Sequence, residues 1–181
     1  MTARDGESAF GNHFQDGYLV SPGPGSSPSF QQYVAAARSG ALEDLLSFDS
    51  TDDDADCLDE LAYKLLSVAV DFGHTEAEDL IDDLLFGSSL AYDDDRFAQG
   101  NAHFELGLAY LVGTDGLPAD LDKGRAHLEK SHACQWPRHV QQGEVLLDEA
   151  RAILSAPQLA VFDEVYRPQV NPSRDGLPPR N

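Results

Sequence analysis

The stretch Ala102–Ala133, AHFELGLAYLVGTDGLPADLDKGRAHLEKSHA, decides how the rest of the chain is read. Ala102, Leu106 and Ala109 recur at helical spacing with Tyr110 beside them, so its first half predicts a helix with an apolar stripe. Gly113 stands where that helix should stop, at a position suited to left-handed backbone, and Gly116 continues the turn. Pro118 sits in the connection, and Asp120 can cap a second helix by accepting a backbone N–H. Leu128 adds to the apolar face of that second helix.

These residues resemble a Sel-one-like repeat, a relative of the tetratricopeptide repeat. Gly107 follows Leu106 as in that family, where the missing side chain lets a second helix approach closely. Leu121, Lys123, Ala126 and Ala133 match the family's second helix. Gly124 departs from the pattern, which usually has Ala there, and a mid-helix glycine costs roughly 1 kcal/mol. The resemblance implies helix hairpins stacked in an array, an architecture that usually holds other proteins.

A weaker echo lies upstream. Ala36, Gly40 and Glu43 recur as Ala69, Gly73 and Glu76, a spacing of about 33 residues, the ankyrin period. The words AARSGALEDLL and AVDFGHTEAEDLIDDLL look like the helix, glycine turn and helix of an ankyrin-type unit, without the Thr-Pro-Leu-His signature that opens one. They read as helical hairpins of unassigned family.

Working outward, Ser29 can cap a helix through Arg38, and Ala41 to Phe48 reads as another. Leu58, Leu61, Leu65, Leu66, Ala69 and Val70 mark a long amphipathic helix. His74 or Thr75 opens the next, with Ala77, Leu80, Ile81, Leu84 and Leu85 inside and Gly87 as its stop. Beyond the repeat, Pro137 should start a helix carrying Val140, Leu146, Leu147, Ala150, Ile153 and Leu154. Ser155 and Pro157 then open a last helix holding Leu159, Phe162, Val165 and Tyr166. No segment sustains strand alternation, so the expected fold is all-α, a short helical-repeat solenoid of antiparallel hairpins. Residues 1–28 are rich in Gly, Ser and Pro and read as a flexible arm. Residues 29–167 form the helical-repeat domain, and 168–181 read as a disordered tail.

Charge is the second signal. The 181 residues carry a formal net charge of −20, and the acids are grouped. Asp49, Asp52, Asp53, Asp54, Asp56, Asp59 and Glu60 crowd one connection; Glu76, Glu78, Asp79, Asp82 and Asp83 decorate one helix; Asp93, Asp94 and Asp95 precede the repeat. Such a surface steers basic partners and repels phosphate backbones, so direct nucleic-acid binding is not expected. The candidate contact residues are Asp79, Asp82 and Asp83 with Asp93, Asp94 and Asp95, a helix face presenting charge at low entropic cost. Asp52, Asp53 and Asp54 form an outlying group.

Other chemistries find little footing. With Asp49 as the first position of a calcium loop, Asp54 falls where the sharp turn needs glycine. His127, His132, Cys134 and His139 match no standard zinc spacing and read as core or surface residues. A phosphate-binding glycine loop, a nucleophile elbow and a His-Glu-x-x-His pair are all missing. No metal, cofactor or catalytic residue is therefore expected. No apolar run approaches the length of a membrane span, the first residues lack a secretory core, and Cys57 and Cys134 make no disulfide framework, so cytosol is the expected compartment. The function expected is a non-catalytic module binding a basic protein, most concretely an acidic inhibitor or immunity protein masking a cationic toxin such as a nuclease. A general scaffold or adaptor whose charge is only solvation, and an enzyme with an unrecognised site, stand as alternatives.

Overall fold

A computed structural model describes residues 27–42, 55–87, 96–138 and 142–167. Among these, seven helices and no strands are found: α1 (Ser27–Ser39), α2 (Ala55–Asp71), α3 (Glu76–Gly87), α4 (Arg96–Val112), α5 (Leu121–Ala133), α6 (Gly143–Ile153) and α7 (Ala156–Val165). The helix expected from Ala41 to Phe48 lies almost wholly outside the described residues, as do most of the arm and the tail.

Helix α4 is the axis of the molecule. Every residue from Gly100 to Leu111 is buried, so the helix is enclosed on all sides and not merely along the stripe its sequence suggests. On one side Leu106, Ala109 and Tyr110 join a core with Val34 and Ala37 of α1 and Leu65, Leu66, Val68 and Ala69 of α2. On the other, Phe104, Leu108 and Leu111 pack with Leu128 of α5, Leu147 and Ala150 of α6, and Phe162 and Tyr166 at the end of the chain's described part. Phe104, Phe162 and Tyr166 meet edge-on or tilted, the arrangement ring quadrupoles favour.

Three of the helices end in the same way. Ala41 N–H bonds to the Ala36 carbonyl, His74 N–H to Ala69 and Thr114 N–H to Ala109. In each the intervening glycine, Gly40, Gly73 or Gly113, has φ near +80°. This is the Schellman closure, with Ala three residues inside the helix and Gly in the left-handed position. The upstream echo at Ala36/Gly40 and Ala69/Gly73 is thus two copies of one cap, and the α4–α5 hairpin holds a third.

Helices α4 and α5 touch through a reciprocal pair of glycines. A Cβ on Gly107 would meet Leu128 at 2.7 Å, and one on Gly124 would meet Leu111 at 2.7 Å. The departure at Gly124 therefore has a packing reason that offsets its cost in helix propensity. Asp120 caps α5 as its type suggests, accepting from Asp122 N at 3.1 Å and Lys123 N at 3.0 Å. Phe72, just past α2, lies between the Arg38 guanidinium at 4.9 Å and the Lys123 ammonium at 4.3 Å, joining α1, α2 and α5.

Two expectations are corrected at the far end. The helix expected from Pro137 starts at Gly143, because residues 134–138 form turns and the Pro137 carbonyl lies against Gly143 where any Cβ would collide. Ile153, expected inside, is 45% exposed, since α6 buries Leu147 and Ala150 instead. The last helix opens at Ser155, whose N–H donates to Gln158 Oε1 at 2.8 Å while Gln158 Nε2 donates to the Leu111 carbonyl at 2.7 Å.

Candidate functional site

Helix α3 presents the acids that the sequence singles out. Its inward face carries Ala77, Leu80, Ile81 and Leu84, packed on α2 and the core. Asp79, Asp82 and Asp83 lie on the opposite face, all exposed, with Glu76 and Glu78 beside them. Among the described residues none of these five carboxylates is ion-paired, and α3 itself contains no Lys or Arg. Phe86 follows Asp82 by four positions and Asp83 by three, so it shares their face. Its side chain is 94% exposed. The outer face of α3 is thus an aromatic ring bordered by carboxylates. Asp93, Asp94 and Asp95, and Asp52, Asp53 and Asp54, fall outside the described residues.

One acid grouped with the acidic connection belongs elsewhere. Glu60 is on α2 and only 5% exposed, because α2 starts at Ala55 and turns that position inward. Asn101 Nδ2 donates to Glu60 Oε1 at 2.8 Å, leaving Asn101 Oδ1 buried and unpaired among the described residues. Burial pushes the Glu60 carboxyl up to about 7, with Asn101 and Lys64 pulling it back and Glu105 pushing further. One turn on, Lys64 donates to Glu105 in an ion pair enclosed by α2 and α4. Burial raises the Glu105 carboxyl and Lys64 opposes that rise.

A second buried string crosses the same interface. Asp71 Oδ2 lies 2.7 Å from His127 Nε2, His127 Nδ1 lies 2.9 Å from His103 Nδ1, and His103 Nε2 lies 2.9 Å from the Tyr63 hydroxyl. Tyr110 stacks flat on His127, with ring centres 5.6 Å apart. Among the described residues the Tyr110 hydroxyl has no partner at full hydrogen-bond geometry, but burial, then the charge of nearby Asp71 and a weak interaction with its carboxylate, drive its ionisation upward. Burial, then the His127 and Lys130 charges, push His103 down to about 3, with Asp71 opposing, which keeps that ring neutral. Burial also raises Tyr63 to about 12. Asp71 is pushed up by burial, but the His127 hydrogen bond and charge, with Tyr110 and Lys123, outweigh it and hold the carboxyl below its usual value.

One concavity among the described residues is an open groove between α5 and α7, lined by Arg125, Glu129, His132, Glu164 and Arg167. An Arg125–Glu164 ion pair spans it, so its charges largely cancel. Among the described residues no group of three or more His, Cys, Asp or Glu is arranged to hold a metal ion, and no helix is long and apolar enough to cross a membrane.

Comparison of the chain with protein-family models, with curated proteins and with solved structures finds no match.

Sequence reasoning assigned Asp79, Asp82 and Asp83 to one helix face, and they share it. It passed over Phe86, which adjoins the apolar run Leu84–Leu85 and looks like more core. Its angular position, opposite Ala77 and Leu84 on the helix, is the signal that identifies it. His103 was passed over too, since its partners stand 40 and 24 positions away.

Proposed function

We propose that the chain is a non-catalytic, helical-repeat module that docks a basic protein on the outer face of α3. In its most concrete form it is an inhibitor or immunity protein that masks a cationic toxin domain such as a nuclease. One observation carries this: Phe86, 94% exposed, at the C-terminal end of a face otherwise made of Asp79, Asp82 and Asp83. An aromatic anchor bordered by charge matches the division of labour at binding hot spots, where one residue is desolvated and neighbouring charges steer the encounter. The net charge of −20 supports the same partner chemistry, since a basic surface relieves self-repulsion that nothing inside α3 offsets. Asp93, Asp94 and Asp95, next along the chain, add to the negative charge offered to the partner. Asp52, Asp53 and Asp54 act as longer-range steering charge.

Co-purification from the native host supplies the partner, and kinetics of the captured complex test the surface. Phe86→Ala is expected to speed dissociation about tenfold or more, the mark of a hot-spot side chain. Asp79, Asp82 and Asp83 changed together to Asn should slow association several-fold while leaving dissociation nearly unchanged. Binding that ignores salt up to about 0.5 M, where screening is severe, together with indifference to Phe86→Ala, would replace this reading with an adaptor using another face.

A further inference from the structure

With both histidine rings neutral, proton counting gives the string from Asp71 to Tyr63 a single direction. A carboxylate only accepts, so His127 Nε2 must carry its hydrogen to make the 2.7 Å contact with Asp71. A neutral His127 then has a bare Nδ1, and the 2.9 Å contact between the two Nδ1 atoms requires His103 to donate across it. His103 Nε2 is in turn bare and accepts from the Tyr63 hydroxyl at 2.9 Å. Each donor points towards Asp71, and both rings are held in opposite tautomers.

A proton added at the Asp71 end of this string reverses it. Water reaches the Asp71 end, the most exposed member at 17%. With that proton His127 carries hydrogen on both ring nitrogens, and its Nδ1–H becomes a donor. His103 Nδ1 must then accept, so its hydrogen moves to Nε2 and points at the Tyr63 oxygen. The Tyr63 hydroxyl hydrogen loses its acceptor, and among the described residues His103 is its only hydrogen-bond partner. Tyr63 is 7% exposed and forms with Ala102 a small cluster against which Ile81, Leu84 and Leu85 of α3 pack. An unpaired hydroxyl buried there is costly, and relief lies in moving Tyr63.

We propose that the Asp71–His127–His103–Tyr63 string is a proton-operated latch on α3: one proton on the histidine pair reverses the string, frees the Tyr63 hydroxyl and loosens the seat of α3. The groups facing the pair set its balance. From α2 come Tyr63 and Asp71; from α4, Tyr110; from α5, Lys123 near Asp71 and Lys130 near His103. Arg38 of α1 acts on Tyr110, and Cys134 on Tyr63. Glu60, Lys64 and Glu105 lie along the same α2–α4 interface. Helix α3 contributes apolar side chains to this region, its carboxylates being exposed on the far side. The consequence for a partner, release of the docking face on acidification, rests on the reading proposed above; the latch itself does not.

The test uses the chain alone, with side-chain nitrogen NMR of the histidines and hydrogen exchange of the α3 amides between about pH 7.5 and pH 5, the range in which histidine switches. The expected spectrum near pH 7.5 has the hydrogen of His127 on Nε2 and that of His103 on Nδ1. Near pH 5 His103 should carry its hydrogen on Nε2, with α3 amides, corrected for intrinsic rate, opening about tenfold more often. Tyr63→Phe has no hydroxyl to strand, so its α3 protection should stay flat over the same range. The proposal is overturned by a His103 hydrogen on Nε2 at neutral pH, or by tautomers unchanged down to pH 5. It is equally overturned by α3 protection that stays flat in the natural chain or falls to the same extent in Tyr63→Phe. Binding of a lysine-rich peptide, measured separately at both pH values, reports on the docking face, so failure of either idea is read independently.

Discussion

Helices α3 and α4 both carry ionisable side chains and place them in opposite surroundings. On α3, Glu76, Glu78, Asp79, Asp82 and Asp83 stand in water, unpaired among the described residues. On α4, His103 and Glu105 are enclosed, and each is matched by a partner on α2, Tyr63 and Lys64. In water a carboxylate contributes to long-range potential and little to folding; inside, the same group contributes to folding only through its partner. Charge density along the sequence therefore locates the exposed acids, while the charges that bear on stability attract no notice by number.

Removing one buried partner should break this contrast most visibly. Lys64→Met leaves the Glu105 carboxylate enclosed without its cation, and urea unfolding is expected to show a loss of about 3–5 kcal/mol. The paired change Lys64→Met with Glu105→Leu should recover much of that loss. A single variant as stable as the natural chain would mean that Glu105 reaches solvent.

Glu60 sharpens the contrast through pH. Its carboxyl stands at about 7 in the fold against a usual 4.5, so the native state holds the proton over a range where the unfolded chain has released it. Its contribution is complete below about pH 4.5 and is lost as pH rises to about 7, about 3 kcal/mol in all. His103 runs the other way: its contribution is present above about pH 6.5 and is lost as pH falls towards 3. Glu60→Gln should remove the first slope and leave the second, so the variant gains stability relative to the natural chain between about pH 5 and pH 7.5. Parallel stability curves for the two would place Glu60 in contact with water.

The smallest effect is expected on α3. Asp79, Asp82 and Asp83 changed together to Asn should shift unfolding by no more than about 0.5 kcal/mol per site, with a slight gain from relieved repulsion. A large loss in thermal unfolding would show that these acids serve the fold and not an encounter.

Where the sequence could be read, it was read through local rules. The glycine at 113, the cap at Asp120 and the apolar stripe of α3 depend on neighbours within a turn or two, and each is found where those rules put it. Partnerships between distant positions were not legible. Gly124 looks like a defect until Leu111 is seen lying on it. Glu60 looks like one more surface acid until the start of α2 turns it inward. The histidine string joins positions 63, 71, 103 and 127, drawn from three helices, and no periodicity connects them. Of the candidate contact residues, the three on α3 were legible because amphipathicity divides that helix into two faces. Phe86 was hidden because hydrophobicity alone assigns it to the wrong one.

The crossing of α4 and α5 has a consequence for how this sequence can vary. Gly107 receives Leu128 and Gly124 receives Leu111, so each helix offers one step and one hollow, four residues apart, to the other. At each contact one leucine fills the space its glycine leaves, so the two side-chain volumes are constrained together. Shrinking a leucine does not by itself open its glycine to a side chain, since a Cβ on Gly107 would still meet the Gly124 carbonyl at 3.2 Å and one on Gly124 the Gly107 carbonyl at 3.1 Å. The hairpin stores its fit as two paired relations, not as four separate letters.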